Sequence, residues 1–228
     1  MNNTAIIAAC AGSTPVRDGN TRIFLDKPVL AYPIESARNS GLFNEIAVIA
    51  DDQKTADIAV KYGASVYSIQ SETSRQEKFI MPGIIEKVKR KYCDNDKQFE
   101  AICCMYATAL LIKPDHLKNS YEFFIKQKAD ILFPTVRFSY PIQRGFRMSD
   151  GKIEMLHPEY YKTRSQDLEP AFYDAQQFYW IKYDSCFSGQ NRYGYELDES
   201  EVQSIGVDMD WKIAELKYKL SVTHGLPA

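Results

Sequence analysis

Short apolar runs alternate with helix-forming segments from the start of the chain to about residue 136, and this alternation constrains the fold most strongly. Apolar runs of this length, bounded by turn residues, are typical of buried parallel strands. We expect strands at residues 4–9, 45–50, 64–69, 101–106 and 130–136. Because consecutive parallel strands need crossover connections, the segments between them are expected to be helices.

Helical spacing and end signals support that expectation. Residues 32–39 precede Ser40-Gly41, where glycine can form a left-handed cap, and Asp51-Asp52 open a segment that runs to residue 62. Further helices are expected at residues 76–92 (interrupted by Pro82-Gly83), 114–127 and 208–220. The sequence therefore predicts an α/β fold, with a Rossmann-like, mostly parallel sheet and helices on both faces. Ligands are expected where the carboxyl ends of the strands meet.

The pattern changes after residue 136. Residues 144–148 and 152–156 flank Ser149-Asp150-Gly151, and Asp-Gly favours a β-hairpin. Residues 171–181, rich in aromatic side chains, are expected to form one further strand. We therefore expect a single domain over residues 1–228, with a small antiparallel lobe inserted at about residues 137–170.

Charge and cysteine content exclude several classes of function. Lys and Arg total 28 against 30 Asp and Glu, so no basic surplus is available for nucleic acid. The first ten residues lack a basic segment, and their apolar run is too short to span a bilayer, so we expect a cytoplasmic protein without a membrane partner. The five cysteines are odd in number and form no CxxC pair, which indicates reduced thiols. The neighbours Cys103 and Cys104 are expected to face opposite sides of one strand.

Known nucleotide-binding motifs are absent from the sequence. Neither GxGxxG nor GxxxxGK[ST] follows the first strand, which argues against a dinucleotide site and an ordinary ATPase or GTPase. The segment Ala11-Gly12-Ser13-Thr14 is small enough for backbone N–H groups to approach a phosphate. A plain tight turn explains the same residues equally well.

Polar and aromatic residues concentrate at 138–144, 164–169 and 173–180. Arg, Gln and Asp with aromatic rings suit a polyhydroxylated, carboxylated ligand, which they can hold by bidentate hydrogen bonds and stacking. The alternative is that the aromatic rings pack a hairpin and the charges are solvated.

With these blocks in view, the sequence resembles the acylneuraminate cytidylyltransferases, and within them the pseudaminic acid branch, over nearly its whole length. The matching blocks are residues 27–43, 51–52, 61–64, 103–109, 138–144, 164–169, 174–180 and 210–215. The resemblance implies a nucleotide-diphospho-sugar transferase-like fold. It also implies a reaction in which the anomeric hydroxyl of a nine-carbon acidic sugar attacks the α-phosphate of CTP, so that pyrophosphate leaves and a CMP-sugar forms. A homodimer joined through the 137–170 lobe is the implied assembly.

The resemblance also implies roles for individual residues. Nucleotide binding would fall to Ala11, Gly12, Ser13, Arg17 and Arg22, and catalysis to Asn20, Asp208 and Asp210. The implied sugar-binding residues are Tyr106, Thr108, Gln143, Arg144, Arg164, Ser165, Gln166, Asp167, Asp174 and Phe178. Mg²⁺ is the implied cofactor, and Asp208 and Asp210 are its candidate ligands.

Departures from the family pattern cluster at the phosphate and metal positions. Cys10 and Gly19 stand where the family has Arg and Lys, and Gln176 replaces a customary Gly. An alignment without a gap puts Ser204 and Gly206 at the metal carboxylates, so Asp208 and Asp210 could take that role only by a shift.

These departures leave three hypotheses open. The first is an active transferase with a rewired nucleotide loop. The second is a degenerate homologue that binds sugar or a partner subunit without turnover. The third is a changed chemistry with Cys10 as nucleophile.

Overall fold

We describe the protein from a computed structural model, which defines residues 2–10, 19–68, 81–95 and 97–223. The strands are β1 (Asn3–Ala8), β2 (Ile23–Phe24), β3 (Lys27–Pro28), β4 (Glu45–Ala50), β5 (Ser65–Ser68), β6 (Ala101–Tyr106), β7 (Ile131–Arg137), β8 (Phe146–Ser149), β9 (Lys152–Met155), β10 (Phe172–Asp174), β11 (Phe178–Lys182) and β12 (Arg192–Glu196). The helices are α1 (Ala31–Ser40), α2 (Gln53–Lys61), α3 (Met81–Asp94), α4 (Pro114–Lys126) and α5 (Asp208–Thr223).

One mixed sheet of eight strands organises the molecule, in the order β10-β7-β11-β6-β1-β4-β5, with β12 paired to β7. The pairs of β1 with β4 and β6, of β4 with β5, and of β12 with β7 are parallel. Strand β11 is antiparallel to both neighbours, with Trp180 opposite Cys103 of β6 and Leu132 of β7. The predicted mostly parallel α/β architecture is confirmed.

Helices cover both faces of the sheet. Strand β1 is buried at every position, and Ala5 and Ile7 pack with residues of α1, α2 and α4, whereas Ile6 and Ala8 pack with residues of α3. Alternate residues of a strand point to opposite faces, so a strand covered on both sides must be apolar throughout. Cys103 and Cys104 lie in these two different clusters, as expected for neighbours on one strand.

A third apolar cluster attaches α5 to the short ribbon β2–β3. The ring of Phe24 makes edge contacts with Tyr32 and Trp211 at centroid distances of 5.3 Å and 5.4 Å. This cluster fixes residues 20–30 beside the start of α5.

The observed bounds differ from the predicted ones at a few places. Strands β4 and β6 have the predicted bounds, and α1 ends at Ser40 and is capped by Gly41 with φ 68°. The single strand predicted at residues 171–181 is wrong, because Gln176 adopts φ 52° and separates β10 from β11. The ribbon β2–β3 and strand β12 were not predicted. Residues 76–80 of the predicted helix 76–92 lie outside the described residues.

Residues 137–170, called the arm below, contain the antiparallel hairpin β8–β9 and short 3₁₀ turns. Most of the hairpin is exposed to solvent. Within the described residues, no helix is both long and apolar enough to cross a membrane.

Candidate active site

The carboxyl ends of β1, β4 and β6 and the start of β11 lie at one edge of the sheet. Tyr106 ends β6, and its backbone N–H donates to the carbonyl of Gln177, which directly precedes β11. Cys10 follows β1, and its thiol donates to the carbonyl of Ile49 at the end of β4 over 3.7 Å. This edge therefore brings Cys10, which directly precedes the predicted nucleotide-binding segment, close to segments that the sequence marked as sugar-binding.

Asp174, Tyr179 and Tyr106 form a hydrogen-bonded chain at this edge. The Tyr179 hydroxyl donates to Asp174 Oδ2 over 2.7 Å and lies 3.4 Å from the Tyr106 hydroxyl. Burial raises the pKa of Tyr179 above its usual value, and its bonds to Tyr106 and Asp174 act in the same direction. The phenol therefore stays neutral and holds the Asp174 carboxylate in one orientation.

A polar cavity of about 630 Å³ lies beside this chain. Its lining includes Asp174 and Gln176 on one side and Ser204, Gly206 and Asp210 on the other. The Ser204 hydroxyl donates to Gln176 Oε1 over 3.4 Å and joins the two sides. The cavity thus brings Asp174, a predicted sugar-binding residue, together with Ser204 and Gly206, the positions that the family alignment assigned to metal binding.

Asp208 and Asp210 do not fit a Mg²⁺ site in this arrangement. Asp210 Oδ2 accepts from the backbone N–H groups of Gly206 at 2.8 Å and Val207 at 2.9 Å, so it caps the start of α5. The Asp208 side chain is 86% exposed and pairs with Arg22 over 3.4 Å. Magnesium binds oxygen ligands in near-ideal octahedral geometry. Among the described residues, no group of three or more His, Cys, Asp or Glu side chains could hold a metal ion.

Cys10 is only 1% exposed and packs in the apolar cluster with α3. Burial raises the pKa of its thiol to about 12, and Asp51 and Asp52 act in the same direction against a smaller opposing effect of Lys87. Because the thiolate is the nucleophilic form, this thiol is unreactive near neutral pH. The structure argues against nucleophilic catalysis by Cys10.

Two further predicted residues, Asn20 and Arg22, contact other groups of the protein. Asn20 is buried, and its side chain donates to the Cys10 carbonyl over 3.3 Å. The Arg22 guanidinium lies over the Trp211 ring at 4.0 Å from the centroid, besides its pair with Asp208. The Arg22 side chain is 41% exposed, so it remains accessible to a ligand while it is stacked. The other predicted nucleotide-binding residues, Ala11, Gly12, Ser13 and Arg17, lie outside the described residues.

Two predicted sugar-binding residues have backbone or core positions. Phe178 has no exposed surface and packs in the main core cluster, so it stabilises this edge of the sheet from within the core. Thr108 lies in the turn after β6, where its carbonyl accepts from the Leu110 N–H.

The remaining predicted sugar-binding residues belong to the arm. Gln143 donates to the carbonyl of Glu169, and Arg144 donates to that of Thr163 over 2.6 Å. Arg164 makes a two-pronged ion pair with Asp167, with distances of 2.7 Å and 3.2 Å. Ser165 and Gln166 line a different cavity, of about 530 Å³, at the base of the arm. None of these six residues lines the cavity that contains Asp174.

Sequence reasoning missed Tyr179, Gln203 and the side-chain role of Gln176. Tyr179 was part of an aromatic block, but only the pairing of β11 with β6 brings its hydroxyl to Asp174 and Tyr106. Gln203 lines the cavity and donates to Asp210 Oδ1 over 3.5 Å. The one sequence feature that pointed to Gln203 was its position just before Ser204, which the family alignment assigned to metal binding.

Comparisons with known proteins agree with this architecture. The sequence profile of the family described as "Cytidylyltransferase" matches residues 4–184. Two relatives, both pseudaminic acid cytidylyltransferases of Campylobacter jejuni strains, are 32% and 33% identical over alignments that cover 97% of this chain and 98% of each relative. A solved structure of CMP:2-keto-3-deoxy-manno-octonic acid synthetase complexed with CTP superposes with a TM-score of 0.68 at 11% identity and covers 97% of this chain and 99% of its own. This chain belongs to the cytidylyltransferase family.

Proposed function

We propose that this protein transfers CMP from CTP to a nine-carbon acidic sugar of the pseudaminic acid class. The anomeric oxygen of the sugar forms a bond to the α-phosphorus of CTP, the bond from that phosphorus to the bridging oxygen breaks, and pyrophosphate leaves with the bridging oxygen. The whole-length likeness to relatives named for this reaction supports the proposal. The observation that carries it is the hydrogen-bonded chain of Asp174, Tyr179 and Tyr106 at the carboxyl edge of the sheet, where Asp174 lines a cavity of about 630 Å³.

Asp174 is suited to hold sugar hydroxyl groups. Its Oδ1 accepts from the Gln176 N–H over 2.8 Å and its Oδ2 from the Tyr179 hydroxyl. An ionised carboxylate has about four acceptor positions, so each oxygen keeps one for a ligand. A carboxylate fixed in this way contributes orientation without having to reorganise when the substrate binds.

The nucleotide would bind where β1 and β4 end, with the backbone of the small loop 11–14 near the phosphates. We assign no protein ligand to Mg²⁺, because Asp208 pairs with Arg22 and Asp210 accepts from the backbone at the start of α5.

Pyrophosphate release tests the proposal directly. The assay combines the protein with CTP, Mg²⁺ and pseudaminic acid, with legionaminic and neuraminic acids as alternative substrates and UTP as the nucleotide control. We expect release dependent on both CTP and sugar, at a rate on the order of 1 per second or faster. Sugar binding by calorimetry without pyrophosphate release from any of the three acids would instead support a degenerate homologue.

The arm supports a second part of the proposal, that two copies pair as a homodimer. In the hairpin β8–β9, Phe146 lies opposite Met155 and Met148 opposite Ile153, and the intervening residues are polar or charged. Side chains two residues apart on a strand share a face, so the hairpin has one apolar face. Phe146, Met148 and Ile153 are exposed. Exposed apolar patches of this kind mark interaction surfaces.

Sedimentation velocity tests the pairing. We expect a dimer for the wild type and a monomer for Met148→Glu, because the new charge lies on the apolar face. Ser149→Glu is the matched control, since it adds the same charge on the opposite face of the same strand. If Met148→Glu remained dimeric, the arm would not be the interface.

A further inference from the structure

Gln176 has a backbone conformation that is unfavourable for its residue type. Its φ is 52°, in the left-handed region that glycine enters freely and that a Cβ atom disfavours. The residue is exposed and lines the 630 Å³ cavity. Left-handed non-glycine residues persist where the surrounding structure holds them, and they cluster at functional sites. The side chain of Gln176 is therefore the feature to explain.

Hydrogen bonds hold this conformation in place. The Gln176 N–H donates to Asp174 Oδ1 over 2.8 Å, and the Gln176 carbonyl accepts from the side chain of Gln177 over 3.3 Å. The turn directs the Gln176 side chain across the cavity to Ser204, which donates to its Oε1. With Oε1 occupied by Ser204, the two N–H bonds of the amide remain to donate to a ligand.

The cavity needs such donors. Asp174, Glu199 and Asp210 contribute carboxylates to its lining, and these only accept hydrogen bonds when ionised. Lys217 is the cation in the lining, but two of its three ammonium N–H donors bond to the carbonyls of Glu199 and Val202, each over 2.7 Å. An acidic sugar brings a carboxylate and acyl carbonyls, which require donors from the protein.

We propose that Gln176 is a specificity-determining residue whose amide N–H groups donate to a carboxylate or acyl oxygen of the acidic sugar. Ser204 orients the Gln176 amide, and the left-handed turn directs that amide across the cavity. This role rests on the proposed function, because it assumes that the cavity takes the sugar.

Gln176→Gly separates this role from a structural one. Glycine removes the side chain and relieves the left-handed conformation, so the melting temperature should stay the same or rise by up to about 4 °C. Loss of the donor should raise KM for the sugar about tenfold and leave KM for CTP unchanged. Gln176→Asn, which tolerates the left-handed region but is shorter, should show the same KM effect.

Lys128→Gly is the matched control. Lys128 has φ 51°, lies exposed just after α4, and is absent from the cavity lining. The same relief of strain should occur there with no change in either KM. An unchanged KM for the sugar in Gln176→Gly would overturn the proposal, as would an equal rise in Lys128→Gly.

Calorimetry of the sugar alone distinguishes this proposal from the proposed function. If the wild type binds sugar but releases no pyrophosphate, the proposed function fails. The tenfold weaker binding expected of Gln176→Gly still tests Gln176. Equal sugar affinity in the wild type and Gln176→Gly would overturn the role of Gln176 even in an active enzyme.

Discussion

The nucleotide side and the sugar side of the same sheet edge use their polar groups in opposite ways. On the nucleotide side, Asn20 holds the Cys10 carbonyl and Arg22 lies stacked on Trp211. On the proposed sugar side, Tyr179 donates to Asp174, and Asp174 lines an open cavity. The described residues of the proposed nucleotide side bond to other groups of the protein, whereas Asp174 keeps spare acceptor positions beside the cavity. We therefore infer that the proposed sugar side is the more preorganised of the two.

Among the substitutions that test this comparison, Asp174→Asn should lower activity the most. The change removes a charged acceptor and keeps its shape, so kcat/KM for the sugar should fall about 10- to 100-fold. Steady-state pyrophosphate release measures it. Asp184→Asn is the control, because Asp184 is an exposed aspartate just after β11, at the opposite end of that strand. Equal activity of the two variants would remove Asp174 from the site.

Tyr179→Phe should have a smaller effect on the use of the sugar. The Asp174 carboxylate loses its buried partner, and we expect KM for the sugar to rise about three- to tenfold. Tyr183→Phe, on a buried tyrosine just beyond the other end of β11, should alter the melting temperature without altering that KM. A similar KM change in both variants would mean that Tyr179 acts only through stability.

Asp210→Ala tests whether this carboxylate caps a helix or holds a metal ion. Loss of a cap should destabilise the protein by about 1 kcal/mol, which lowers the melting temperature of a chain of this size by roughly 2–4 °C. Differential scanning fluorimetry with and without Mg²⁺ should give the same decrease. A decrease seen only with Mg²⁺ would restore Asp210 as a metal ligand.

Cys10→Ser should have the smallest effect on activity, and it should change the pH dependence of stability only at alkaline pH. The thiol pKa rises from 9.0 to about 12 on folding, so between these values the folded chain keeps a proton that the unfolded chain loses. Stability is therefore fully present below about pH 9 and falls as pH rises, by up to about 1.4 kcal/mol per pH unit from this one group.

Urea unfolding at pH 7, 9 and 10.5 compares the two proteins. A serine hydroxyl does not titrate, so the stability of Cys10→Ser should decline less steeply than that of the wild type. Parallel slopes would show that the thiol is accessible to solvent.

The sequence was most informative where burial is continuous. The apolar runs that became β4 and β6 have the predicted bounds because both faces of these strands are covered. The break at Gln176 could not be predicted from the glutamine itself, which is not expected at positive φ; its one indication was the glycine that the family has at this position. Strand β12 alternates exposed and half-buried residues around Gly194, which is a weak strand pattern.

The position of the candidate site could be predicted from the sequence, but the hydrogen bonds within the site could not. The carboxyl edge follows from the order of the elements, and Tyr106 and Asp174 were both named. Their connection through Tyr179 depends on the antiparallel pairing of β11 with β6, which no local pattern specifies. The arm residues were grouped with Asp174 by resemblance, whereas their bonds within one protomer stay inside the arm.

The placement of β11 between β6 and β7 has a consequence for synthesis of the chain. Until residue 182 has left the ribosome, β6 and β7 lack the strand that joins them, and their facing edges present unpaired N–H and C=O groups. Trp180, which packs against Phe43 and bonds to Ser120, arrives with the same strand. Both edges therefore stay open from the synthesis of β7 until that of β11, and the sheet closes only when β11 has emerged.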